Sequence, residues 1–112
     1  QWQLEAFVTG DAASSLIVDT SITLELREDG GAGGRACNTY RTTYTMEDTR
    51  ITFGPINSTR MACQQDIMAQ ETAYLRALES ATGYEIVGDQ LVITHAEGQL
   101  IFKPAAKSGD MQ

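Results

Sequence analysis

Trp2, Leu4, Ala6 and Val8 alternate with Gln3, Glu5 and Phe7, the two-residue period of a half-buried strand. Thr9-Gly10-Asp11 breaks the run, and Leu16-Ile17-Val18 predicts a short second strand. Ile22, Leu24 and Leu26 then alternate with Thr23, Glu25 and Arg27, the clearest strand pattern in the chain. Asp29-Gly30-Gly31 supplies residues that tolerate the positive φ of a tight hairpin turn. The run from Arg35 to Met46 is rich in Thr and Tyr and reads as extended, with a turn near Arg41-Thr42. Arg50-Ile51-Thr52-Phe53 is a further strand, ended by Gly54-Pro55 because proline cannot donate to a ladder.

From Asp66 onward the period changes. Ile67, Met68, Tyr74, Leu75 and Leu78 fall three, four and seven apart, while Gln64, Gln65, Gln70, Arg76 and Glu79 take the other side. This predicts one amphipathic helix over about residues 66–82, with Gly83 as its left-handed C-terminal residue. Tyr84–Val87, a Gly88-Asp89 turn and Gln90–Thr94 form a hairpin, and Gln99–Phe102 a last strand. Residues 104–112 are small and polar and read as a flexible tail after a domain spanning 1–103. The expected fold is α+β and mostly β: an antiparallel meander of about seven or eight strands, curled into a small barrel-like sheet with the helix packed on it.

At 112 residues the chain fits one domain, and no apolar run approaches the ~18 residues of a membrane-spanning helix. It opens on Gln1-Trp2-Gln3 already in strand pattern, so any secretory leader is expected to have been removed. Eight basic residues are scattered among fifteen acidic ones, for a net charge of −7. Nucleic acid is therefore not an expected partner, since phosphate binding needs clustered Lys and Arg. Cys37 and Cys63 belong to no C-x-x-C pair, and the single histidine cannot complete a four-ligand zinc site. They are either two free thiols or a disulfide closing a loop of about 27 residues, worth roughly 3–4 kcal/mol.

Two strings are distinctive. One is Cys37-Asn38-Thr39-Tyr40 with Tyr44, preceded by glycines at 30, 31, 33 and 34; the other is Ser58-Thr59-Arg60-Met61-Ala62-Cys63, with Glu71, Tyr74, Leu75 and Leu78 after it. Together with Tyr84-x-Ile86-x-Gly88-Asp89-x-Leu91-x-Ile93 and Leu100-x-Phe102, they resemble the META domain, the family that includes the HslJ heat-shock proteins. Ala36 and Thr42 stand where that family tends to carry glycine, which touches the local backbone and not the fold. The resemblance implies a barrel-like sheet with a helix, in a periplasmic protein or outer-membrane lipoprotein associated with stress tolerance, and it transfers no catalytic residues. An oxidising envelope also implies a Cys37–Cys63 bond.

Chemistry beyond this is sparse. His95 lies beside Glu97, but no serine sits in a G-x-S-x-G elbow, so it reads as a surface turn histidine. Gly30 to Gly34 lack the order of a phosphate loop and lead into a strand, so they read as a flexible hairpin. Glu28-Asp29 and Glu47-Asp48 read as solvated turns, not as a glycosidase pair or a calcium loop. A Cys37–Cys63 bond would gather Asn38, Ser58, Thr59 and Arg60 into one polar cluster, a candidate recognition patch in which Arg60 offers its fork to a carboxylate or phosphate. The same residues have a structural reading as helix caps and strand-edge partners. Trp2, Tyr40, Tyr44 and Phe53 either pack the core or line a barrel mouth.

The expected function is thus a non-enzymatic, monomeric envelope domain that binds a protein partner, without metal or cofactor. It would be peripheral to a membrane only through a lipid anchor upstream of Gln1. The alternatives are a barrel that holds a small apolar ligand, and an inhibitor of a secreted hydrolase that uses an exposed loop at 28–35 as its wedge.

Overall fold

The computed structural model describes residues 1–105. Ten strands and one helix follow in the order β1 (Trp2–Thr9), β2 (Ala12–Ser15), β3 (Thr23–Leu26), β4 (Gly31–Arg35), β5 (Thr39–Glu47), β6 (Arg50–Phe53), β7 (Asn57–Ser58), α1 (Gln65–Glu79), β8 (Gly83–Val87), β9 (Gln90–His95) and β10 (Gly98–Pro104). All pairings are antiparallel, in the order β10-β9-β8-β6-β5-β4-β3-β1, and β10 returns to pair with β1. Eight strands thereby close a barrel-like ring. The expected curled meander is the observed architecture. β2 hangs on the outer half of β1, and β7 is a two-residue addition to β5.

The ring is weakest between β6 and β8, which share the single register pair Arg50↔Gly83. It is strongest at β1 and β10, paired from Trp2↔Pro104 to Val8↔Gln99. The last strand therefore runs through Pro104, and the Ala105 amide bonds the Gln1 carbonyl at 3.0 Å. The rest of the expected tail, 106–112, lies outside the described residues.

Four local readings are corrected. The alternation of β1 flips at a bulge between Leu4 and Ala6: Leu4 faces Phe102, but beyond the bulge Phe7 faces the buried Leu100. Phe7 thus packs on the core, on the side the simple period assigned to Ala6 and Val8. The second strand is Ala12–Ser15, because Gly10 at φ +59° folds the chain straight back onto β1. Leu16-Ile17-Val18 is the crossing segment, with Ile17 N–H bonded to Gln70 on the helix and Val18 83% exposed. Thr42 lies inside an unbroken β5, and the turn falls at residues 36–38, where Ala36 N–H bonds the Asn38 carbonyl. The helix stops at Glu79 with Ser80 as its cap, so Gly83 opens β8 and caps nothing.

The inner face of the ring is filled. Leu24, Tyr40, Ile51, Tyr74, Leu78, Ile93, Leu100 and Phe102 are all buried, with the helix supplying Glu71, Tyr74, Ala77 and Leu78. Tyr74 meets both Tyr40 and Phe102 edge-on, with ring centroids 5.7 and 6.4 Å apart. Both phenols are satisfied in series. Tyr74 O–H donates to the Tyr40 oxygen at 2.6 Å, and Tyr40 O–H donates to the Thr23 carbonyl at 2.6 Å.

Burial pushes the ionisation of Tyr40 and Tyr74 well up from the ordinary tyrosine range. Stability from these neutral phenols is complete below the unfolded value of about 10 and is lost as pH climbs above it. In an alkaline titration, phenolate absorbance from Tyr40 and Tyr74 should therefore appear only together with loss of circular dichroism. Full ionisation of every tyrosine with the fold intact would contradict this packing.

Candidate functional site

The cluster read from the sequence forms around the turn between β4 and β5. Cys37 and Cys63 are joined by a disulfide, with Cα atoms 6.5 Å apart. Next to it Asn38 is buried, and its amide makes a full set of bonds. The Oδ1 atom accepts from Met61 N–H at 2.7 Å and from the Thr59 hydroxyl at 2.9 Å. Nδ2 donates to Glu71 Oε1 at 3.1 Å and to the Met61 carbonyl at 3.4 Å. The Asn38 backbone N–H donates to Glu71 Oε2 at 2.7 Å. One asparagine therefore ties the β4–β5 turn, the segment before the helix and the helix itself.

This arrangement divides the predicted cluster. Asn38 and Thr59 are spent on internal bonds, Thr59 also pairing through its backbone with Thr39. Ser58 stands opposite Tyr40 in β7 and is exposed, as is Arg60. Neither Ser58 nor Thr59 caps the helix, whose N-cap residue is Gln64 with no side-chain cap bond. Glu71 belonged to the distinctive strings, but its role as the buried acceptor facing Asn38 was not read from the sequence. Thr42, where glycine was expected, is buried and donates its hydroxyl to the Gly54 carbonyl at 2.9 Å.

Of the aromatic set, Tyr40 is a core residue. Tyr44 and Phe53 are half-buried neighbours with ring centroids 6.4 Å apart, and Trp2 packs against the core edge. His95 lines a recess of about 330 Å³ with Arg76, Ser80 and Glu97. Burial lowers its basicity, against a smaller opposing pull from the Glu97 carboxylate. Its Nδ1 accepts the Glu97 backbone N–H at 3.3 Å. Ser80 Oγ is taken up by the Ala77 carbonyl and the Ala96 N–H, so serine and histidine are not coupled as nucleophile and base. Among the described residues, no three His, Cys, Asp or Glu side chains gather as metal ligands.

A feature not anticipated from the sequence lies on the outer face of β3, β4 and β5. Gly33 faces Glu25 on one side and Arg41 on the other, and Gly31 faces Thr43. With no side chain at 33, the outer face of β4 is a trough between Glu25 and Arg41, while the Arg27 guanidinium and the Asp29 carboxylate cover Gly31. Arg27, Arg35 and Arg41 line this open groove of about 620 Å³. Glycine is needed there, since a Cβ at 33 would stand 2.6 Å from the Tyr40 carbonyl oxygen. The segment expected to be a flexible hairpin, and a wedge in the inhibitor reading, is thus an internal strand. Only the turn before it projects.

The META domain model matches residues 1–107. This chain belongs to the META domain family. Three solved structures are similar to it. A protein from Burkholderia xenovorans, solved by NMR, is 27% identical with a TM-score of 0.73, over 95% of this chain and 81% of that one. A second NMR structure is 18% identical with a TM-score of 0.66, over 91% and 87% of the two chains. A crystal structure of a DUF4847 family protein from Bacteroides vulgatus is 18% identical with a TM-score of 0.57, over 80% and 61%. Among curated proteins, none matches. The disulfide of this META domain fits an oxidising, extracytoplasmic compartment. No helix among the described residues is long and apolar enough to cross a membrane.

Replacing both Cys37 and Cys63 by alanine should lower unfolding stability by roughly 3–4 kcal/mol, read from urea midpoints at constant slope. A loss below about 0.5 kcal/mol would show that the bond is not a staple of the fold.

Proposed function

We propose that this META domain is a non-enzymatic module of the cell envelope, periplasmic or lipid-anchored, that binds a protein partner through its outer surface and serves stress tolerance. One observation carries the reading: the interior of the ring is packed by the Tyr40–Tyr74–Phe102 stack, while the charged trough lies outside it. A carrier of small apolar molecules needs a sizeable apolar cavity. Here the interior volume is taken by side chains, and the recesses, the arginine trough among them, are open to the surface. A partner-binding role asks only for a rigid outer face, which the disulfide and the continuous β3–β4–β5 pairing supply.

The reading is tested with a photo-reactive residue at Thr43, an exposed position of β5 that pairs with Gly31 beside the trough, and at Thr72, on the exposed face of α1. Irradiation of cells should give a discrete protein adduct from position 43 and none from position 72. No adduct from position 43 would overturn partner binding, and a small apolar molecule retained by the purified protein in native mass spectrometry would put ligand carriage in its place.

A further inference from the structure

The strand register sets the three arginines of the trough in order. Arg27 N–H bonds the Gly31 carbonyl, so Arg27 stands at the level of Gly31. Arg41 faces Gly33, and Arg35 belongs to β4 itself. The cations therefore occupy the levels of residues 31, 33 and 35. Successive levels on one face of a strand are about 6.6 Å apart, and the flanking strands stand roughly 9–10 Å from each other. That is the repeat of same-face side chains in an extended polypeptide, and a width that admits one.

Charge follows the same geometry. Glu25 is the carboxylate that lines the groove, and it already accepts from Arg27 Nη1 at 3.1 Å. Asp29 closes the Gly31 end of the groove: its Oδ1 accepts from the Gly31 N–H at 2.9 Å and would stand 3.1 Å from a Cβ at that position. Arg35 and Arg41 are exposed and have no ion-pair partner among the described residues. On a chain of net charge −7, the trough concentrates three of the eight basic residues. Each guanidinium offers a planar fork that matches a carboxylate. A flat anionic membrane is a poor match for a recessed, glycine-floored channel on an acidic protein, whereas a slender chain reaches its floor.

We propose that the trough over Gly33 is the partner site, and that it takes an extended peptide segment with acidic residues at alternate positions. Their carboxylates would engage Arg41 and Arg35, with Arg27 completing the row. This rests on the partner-binding reading above and names the chemistry of the partner.

The test uses labelled octapeptides and fluorescence anisotropy. One peptide alternates Glu and Thr, a second has the same composition with its four acids in a block, and a third alternates Lys and Thr. The alternating acidic peptide should bind saturably, more tightly than the blocked one, and more weakly as salt is raised. The Arg35→Glu/Arg41→Glu variant should bind it at least about tenfold more weakly at an unchanged melting temperature, since both side chains are exposed surface positions. Arg35→Lys/Arg41→Lys should fall between, keeping charge but not the fork. Equal binding of the alternating and blocked peptides, no response to the charge reversal, or binding of phosphatidylglycerol vesicles in place of the peptides would overturn the proposal. The adduct from Thr43 separates the two levels. If it persists in Arg35→Glu/Arg41→Glu, partner binding stands and the acidic-peptide assignment falls; if wild type gives none, both fall.

Discussion

Most of this structure depends on one buried contact, the carboxyl group of Glu71 held by the side-chain amide and backbone N–H of Asn38. A buried carboxyl group without partners is costly, and one with two donors at 2.7 and 3.1 Å is a strong directional tie. Its position explains why a single helix can be placed accurately in a ring of short strands. The helix is reached through a stretch without regular structure after β7 and cannot be located by pairing. Asn38 locates it. The same side chain holds Met61 and Thr59, and the adjacent disulfide closes the loop that contains all three. Gln70, the residue before Glu71, adds a second tie, accepting from Ile17 N–H and donating to Thr20.

Placement of the helix then decides the interior. With Glu71 fixed, the next turn brings Tyr74 against Tyr40 and Phe102, and Leu78 follows one turn on. Large rings at the centre leave the ring filled, and the grooves lie on the outer surface. The outer trough has a cause in the same region. Gly33 must lack a side chain because β5 passes close to it at the Tyr40 carbonyl, and that absence also bares the channel between Glu25 and Arg41. Core packing and surface shape share one strand.

The legible part of the fold was the part written in local periodicity. Ile22 to Leu26, Arg50 to Phe53 and Gln90 to Thr94 stand where alternation placed them, because each has one buried face, and the Gly88-Asp89 turn pairs Tyr84–Val87 onto the last of these although Ile86 and Val87 are about half exposed. The errors fall where a local pattern was overridden. A bulge in β1 exchanges its faces without altering composition, and Ala12–Ser15 is a strand only because Gly10 turns it onto β1. The paired cysteines and Asn38 were legible through their strings. The partnership of Asn38 with Glu71 was not, since 33 residues separate them. The arginine trough was hidden for a similar reason: its members lie on or beside three strands, and the glycines that form its floor read locally as a flexible turn.

A double-mutant cycle on Asn38→Ala and Glu71→Ala, by urea unfolding, tests the central contact most directly. If the two groups hold the helix as one unit, the double variant should lose less stability than the sum of the single variants, with a coupling of at least about 1 kcal/mol. Additive losses, within about 0.3–0.5 kcal/mol, would mean that the two residues act independently and that the helix is placed by its other contacts.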